Sequence, residues 1–246
     1  MIIGSNLLFF ENLPSTNTHT AGLLKKNNLK EGTIVYTNYQ SAGKGYSGNN
    51  WESEEGKNLL ISIVVFPSFI RPEDQFLISM TISLGICDFL ERFIPDCSIK
   101  WPNDIYVNND KIAGILIENY IIGELIESTI AGIGLNINQE RFISPVPNPV
   151  SLRMLTGMNY DLHACLLQLC GNLDKRYKQI IAGDSIQIKK EYISKLHRLN
   201  EWCKFRDSNG IYDGRILTIG DYGRLKIEKR DGETCEYSFK EIEFIL

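Results

Sequence analysis

The chain has 246 residues, 43% of them hydrophobic, and a net charge of −4. That length builds a sizeable core, and the apolar content excludes a disordered chain. The mixed, slightly acidic charge argues against a general nucleic-acid binder, which needs a basic face to displace counterions from phosphates.

Taken in chain order, the N-terminus MIIGSNLLFFENLPS has no basic n-region and no small-residue cleavage site, so no signal peptide is read. STNTHTAGLLKKNNL predicts a helix with Ser15 or Thr16 as N-cap. EGTIVYTNYQ predicts a strand running into a glycine loop, and NLLISIVVF a strand buried on both faces. RPEDQFLISMTISLGICDFLERFI predicts a core helix with Pro, Glu and Asp in its first turn. CSIKWPNDIYVNNDKIAGILIENY reads as strand, tight turn at Asn108, Asn109 and Asp110, and strand. STIAGIGLNIN predicts a further strand, and residues 141–160, with Pro145, Pro147 and Pro149, a loop. DLHACLLQLCGNLDKRYKQIIAG and SIQIKKEYISKLHRL predict two helices, the first with Leu162, Leu166, Leu169 and Leu173 on one face.

After about residue 200 the texture changes to short alternating strands with turns at DSNG, DYG and RDG, which predicts a small β-barrel of about five strands. The fold expected is α+β, with a mixed α/β domain over 1–195 and a small β domain over 196–246. No run of 18 apolar residues exists, so no membrane span is expected. Cys87, Cys97, Cys165, Cys170, Cys203 and Cys235 are scattered without a C-x-x-C pair. That spacing suits reduced, mostly core thiols in a cytoplasmic protein better than disulfides or a zinc site.

Two stretches carry chemistry. Residues 43–48 within YQSAGKGYSGNNW spell G-x-G-x-x-G after a predicted strand. A dinucleotide turn also requires a helix opening straight after the motif. Asn49, Asn50 and Trp51 do not begin one, and no acidic residue ends a second strand about 20 residues on. Two readings stay open: a surface loop, or a loop that a ligand orders, with Lys44 and the glycine amides toward phosphate and Trp51 toward a flat ring. The second stretch, KWPNDIYVNNDKIAG, gathers Lys100, Asn103, Asp104, Lys111 and Gly114 on a pattern otherwise suited to a buried hairpin. Lys111 suits a lysine guarding a strand edge or one facing a ligand. Asn103 and Asp104 suit turn formers or residues orienting a ligand or a metal-bound phosphate.

KWPNDIYVNNDKIAG, with YQSAGKGYSGNNW, the STN at 15–17 and AGIGLNIN at 131–138, resembles the biotin protein ligases along the whole chain. K-W-P-N-D followed by K-x-A-G is quite specific, and lipoate ligases share it more loosely. The resemblance implies a mixed-sheet ligase domain with a C-terminal SH3-like barrel. It also implies a two-step reaction with ATP, Mg2+ and biotin. Biotin attacks the α-phosphate to give biotinyl-5′-AMP, and a lysine of a biotin carboxyl carrier domain then takes the acyl group. The carrier is that of a biotin-dependent carboxylase such as acetyl-CoA carboxylase.

By the same resemblance, Lys111 is the central catalytic lysine, and Lys44 assists it on carboxylate and phosphate. Ser15, Thr16, Asn17 and Gln40 hydrogen-bond the ureido ring of biotin, while Gly43, Gly114, Gly132 and Gly134 leave room for close approach. Gly45 and Tyr46 also belong to the biotin loop, with Tyr46 toward the adenylate as well. Trp51 packs on adenine, Asn136 contacts the adenylate, and Asn103 and Asp104 lie near the phosphates. No side-chain cluster for a metal is read; Mg2+ enters with ATP, with Asp104 available to it. The loop departs from the family's G-R-G-R-x-G, with Lys44 and Tyr46 replacing both arginines, so the charge it brings to phosphate is halved. Only 14 residues precede Ser15, so neither a winged helix nor DNA binding is expected. Family members are often homodimers joined through the central sheet, and the resemblance admits that state here. Two alternatives remain: a lipoate or octanoyl transferase, against which the polar Ser15–Asn17 and Gln40 set argues, and a catalytically silent binding module.

Overall fold

The computed structural model describes residues 1–26, 29–45, 48–143 and 148–245. A seven-stranded mixed sheet carries the larger part of the chain, in the order β1-β2-β3-β7-β6-β5-β4. Its strands are β1 (Asn6–Leu13), β2 (Thr33–Gln40), β3 (Leu59–Val65), β4 (Cys97–Lys100), β5 (Asp104–Val107), β6 (Asp110–Ile122) and β7 (Leu125–Leu135). β1 and β2 run parallel, connected through α1 (Thr16–Leu24), and every other neighbouring pair is antiparallel.

The sheet divides two environments by the alternation of strand side chains. Ala131, Ile133 and Leu135 of β7 and Ala113 and Ile115 of β6 join the core. That core is closed by α2 (Phe76–Leu90), α4 (Leu162–Ile181) and α5 (Ser185–Ser194). The intervening Gly132 and Gly134 abut Asn17 of α1 and Trp51 instead, on the other face. α2 is apolar nearly all round because it lies between the sheet and the α4–α5 pair. α4 shows its apolar side as read, with Leu166, Leu169 and Leu173 buried and Leu162 partly so. Across these helices Arg176 of α4, 8% exposed, donates to Asp88 of α2 at 2.6 and 2.8 Å and to Glu191 of α5 at 2.5 Å.

Several boundaries differ from the sequence reading. The predicted first strand of the 97–122 region is broken by a turn at Trp101, Pro102 and Asn103, so β4 and β5 form a hairpin of their own, with Lys100 opposite Asp104. Pro72–Asp74 forms a separate 3-10 turn before α2. The loop read over 141–160 contains α3 (Leu152–Thr156), whose N-cap Ser151 accepts from Met154 N–H; Ser144 to Pro147 lie outside the described residues. The second C-terminal helix stops at Ser194, not Leu199, because the chain then runs along β4, with the His197 amide donating to the Ile99 carbonyl at 2.9 Å.

The C-terminal part forms a five-stranded antiparallel sheet in the order β11-β10-β9-β8-β12. Its strands are β8 (Trp202–Asp207), β9 (Gly210–Ile219), β10 (Leu225–Lys229), β11 (Thr234–Tyr237) and β12 (Glu243–Ile245). Phe205, Ile216, Leu225 and Ile227 merge with the main core, and Trp101 Nε1 donates to the Gly223 carbonyl at 2.8 Å. All six cysteines are free thiols, with Cys87, Cys97, Cys165 and Cys170 buried and Cys203 and Cys235 half-buried. No helix of the described residues is long and apolar enough to cross a membrane.

Candidate active site

The face of the sheet opposite α2 carries a cavity of about 500 Å³. β6 and β7 form its floor, and their glycines make it possible. A Cβ on Gly132 would overlap the Asn17 amide, one on Gly134 the Trp51 indole, and one on Gly114 would lie 2.9 Å from Trp51 Cζ3. Neighbouring Ile115 and Ile133 reach the core from the same strands. The spacing G-I-G in β7 therefore bares the backbone on the cavity side while filling the other.

One end of the cavity is polar and uncharged. The sequence turns from β1 into α1 at Ser15, whose hydroxyl caps the helix by accepting from Thr18 N–H at 3.5 Å. Ser15, Thr16 and Asn17 are therefore held on the first turn, each buried. Gln40, at the end of β2, accepts at Oε1 from the Thr16 amide at 2.7 Å and the Thr16 hydroxyl at 3.1 Å. Asn17 Oδ1 accepts from Ser62 Oγ at 2.6 Å, and Asn17 Nδ2 donates to the Leu116 carbonyl at 3.2 Å and to Glu118 Oε2 at 2.8 Å.

The other end carries charge. Lys111, near the start of β6, places Nζ 2.7 Å from Asp104 Oδ1 and 5.5 Å from the Trp51 ring centre. A Cβ on Gly114 would sit 3.3 Å from Lys111 Cε, so the missing side chain leaves the path along which the lysine folds back toward Asp104. Asn103 is held at the β4–β5 turn by its side-chain amide donating to the Ile115 carbonyl at 2.7 Å. Lys44 faces the same cavity from the glycine loop, where it bridges Asn50. The loop closes on itself, with the Gly45 amide donating to the Asn49 carbonyl at 2.6 Å and the Trp51 amide to the Gly43 carbonyl at 3.0 Å. Among the described residues, Asn49, Asn50 and Trp51 begin no helix after the glycines.

Of the residues singled out by sequence, Ser15, Thr16, Asn17, Gln40, Lys44, Gly45, Trp51, Asn103, Asp104, Lys111, Gly114, Gly132 and Gly134 line this one cavity. Gly43 and Asn136 do not. Gly43 sits behind the loop against the Trp51 carbonyl. Asn136, 2% exposed, bonds the Ile112 and Val150 backbone and ties the 148–152 segment to β6. Tyr46 lies outside the described residues. Lys100 of the same motif turns elsewhere: Nζ donates to Tyr106 Oη at 3.2 Å and stands 5.2 Å from the Phe244 ring centre. Burial lowers its pKa, against the opposing attraction of Asp104.

Sequence reasoning missed Asn49, Asn50, Ile115, Leu116 and Ile133 in the lining and Ser62 and Glu118 behind Asn17. Ser62 carried a signal, as the lone polar residue within the apolar run LLISIVV, whereas Glu118 only closes the run IAGILI ahead of Asn119. Among the described residues, Asp104 is the one carboxylate in the lining, and no group of three His, Cys, Asp or Glu side chains is able to cage a metal.

Residues 9–136, which span this whole floor and both ends of the cavity, match the Biotin/lipoate A/B protein ligase family, and the chain belongs to it. It is 30% identical over 245 residues to the bifunctional ligase/repressor BirA of Bacillus subtilis, covering 96% of this chain and 74% of that one. It is 27% identical over 224 residues to the biotin–acetyl-CoA-carboxylase ligase of Paracoccus denitrificans, covering 85% of this chain and 89% of that one. The solved structure of the biotin protein ligase from Aquifex aeolicus in complex with biotin and ATP superposes with a TM-score of 0.81 at 26% identity, covering 97% of this chain and 98% of that one.

Proposed function

We propose that this chain is an ATP-dependent biotin protein ligase. The observation that carries the reading is the two-ended cavity: an uncharged hydrogen-bonding end at Ser15–Asn17 and Gln40, and a cationic end at Lys111 and Lys44. A ureido ring is neutral and needs donors and acceptors, whereas a carboxylate and a triphosphate meeting in one place need fixed positive charge. A volume of about 500 Å³ suits a small ligand of that kind.

In the first step a biotin carboxylate oxygen attacks the α-phosphorus of ATP, and the bond to the bridging oxygen breaks to release pyrophosphate. Lys111 lies where the two anions meet and stabilises the charge on the α-phosphate. In the second step a lysine amine of a carboxylase carrier domain attacks the acyl carbon, loses a proton, and releases AMP. Lys44 supplies a second cation from the loop, as a point charge and not a two-pronged fork. Trp51, against Gly114 and Gly134, offers a flat face to adenine. Asp104, a carboxylate in the cavity lining, would hold the Mg2+ carried by the triphosphate, and the ion would shield the phosphate charge there. Residues 1–195 form the ligase domain and 196–246 the C-terminal β domain of a cytoplasmic enzyme.

Exchange of labelled pyrophosphate into ATP tests this reading, with biotin, lipoate and octanoate each as the sole acid. Exchange with biotin alone is the expected result. Exchange with lipoate in place of biotin would overturn the assignment of the polar end.

A further inference from the structure

Asn17 is 3% exposed, and its carboxamide is oriented by groups on two strands. The partners of its nitrogen, the Leu116 carbonyl and the Glu118 carboxylate of β6, are pure acceptors. Turning the amide over would set its oxygen against both, so the orientation is dictated, and the charge-assisted bond to Glu118 at 2.8 Å is the stronger hold. Both Nδ2 hydrogens are then committed. Oδ1, already accepting from Ser62 on β3, keeps one lone pair, and it packs against Gly132 with no Cβ between.

Gln40 is set the opposite way. Its oxygen accepts two bonds from Thr16, which leaves its NH2 group as what it can offer. The uncharged end of the cavity thus presents an acceptor at Asn17, while the Gln40 NH2 group lies toward Gly43 at the foot of the loop. A ring N–H meets the Asn17 acceptor.

We propose that Glu118, which stands behind Asn17 and outside the cavity lining, is a positioning residue that fixes this polarity. By holding Asn17 as an acceptor it selects a ureido N–H over a ring without one. The inference rests on the biotin reading above, and one experiment separates the two: pyrophosphate exchange with biotin titrated at saturating ATP, in wild type, Glu118→Ala and Glu118→Gln, with melting temperatures alongside.

The expected result is a rise of about tenfold or more in KM for biotin in Glu118→Ala. KM for ATP, kcat and melting temperature should stay close to wild type. Glu118→Gln should recover most of the loss, since its Oε1 still accepts from Asn17. An unchanged KM for biotin in Glu118→Ala, with a biotin-dependent wild type, overturns the role of Glu118 alone. A fall in kcat and melting temperature together in both variants marks a structural residue and overturns it too. Wild-type exchange independent of biotin overturns the substrate reading and this inference with it.

Discussion

Lys111 Nζ stands 2.7 Å from Asp104 Oδ1 across the β5–β6 hairpin, and both side chains are 19% exposed. Asp104 pairs in register with Gly114, not with Lys111, so the lysine reaches it only by folding back over the glycine. The ion pair therefore holds the ammonium folded back over the Gly114 stretch of the cavity floor.

Removing that ammonium should abolish chemistry and spare the fold. Lys111→Ala is expected to lower biotin-dependent pyrophosphate exchange by about 10²–10³-fold. A partly exposed pair contributes about 1 kcal/mol or less, so a thermal melt should move only a few degrees. Loss of soluble folded protein would instead make Lys111 a structural edge lysine.

Gly134→Ala should displace Trp51. The new methyl group would run into the indole, which packs directly on the Gly134 backbone. KM for ATP is expected to rise by about tenfold, which corresponds to roughly 1.4 kcal/mol, and tryptophan emission should shift as the ring moves. Gly22→Ala gives the contrast: it is an exposed helical position with nothing within 4 Å, and should stabilise the protein by about 0.5–1 kcal/mol. Unchanged ATP affinity in Gly134→Ala would remove Trp51 from the nucleotide site.

Arg176→Met should be the most destabilising of these changes. It leaves Asp88 and Glu191 facing each other without their shared cation, under three packed helices. Breaking a buried pair costs about 3–5 kcal/mol. Urea unfolding measures it, and a loss below about 1 kcal/mol would mean that water already screens the cluster.

His197 should make the protein acid-sensitive. Its Nδ1 lies 3.0 Å from Ser98 Oγ, and burial, then the Arg198 and Lys100 cations, push its pKa down to about 4. The folded pKa lies below the unfolded value of about 6.5, so the unfolded chain binds a proton that the folded chain refuses. Stability from this group is intact above about pH 6.5 and is lost as pH falls toward 4, by on the order of 3 kcal/mol. The stability deficit of His197→Gln relative to wild type should shrink across that window. A deficit that stays constant with pH would show that His197 does not titrate on unfolding.

The parts legible in sequence were those with local causes. The Leu166, Leu169 and Leu173 stripe of α4 follows from helical period, and the Ser15 cap from the need to satisfy first-turn amides. The nearly continuous apolar run of β3, broken only by Ser62, announced burial on both faces. β1 was not read as a strand, because NLLFFENL lies at a sheet edge in a half-exposed pattern and gains its ladder only from β2. The β4–β5 turn was missed for a similar reason: Trp101 is buried against the C-terminal sheet, so a long-range contact shapes a turn that local preference leaves open.

By itself the sequence determined which residues carry charge and freedom: Lys111 and Lys44, the glycines of the loop and of β7, and the small polar set at the start of α1. Their types and spacing are chemical facts that need no coordinates. Only the tertiary structure decided how they face one another. The indole of Trp51 reaches Gly134 from 83 residues away in sequence, and Glu118 reaches Asn17 from 101 residues away. The fold also set Asn136 against the backbone and turned Lys100 toward Tyr106 and Phe244. Such pairings depend on sheet register and on which face each strand presents, and both are fixed by burial summed over the whole sheet.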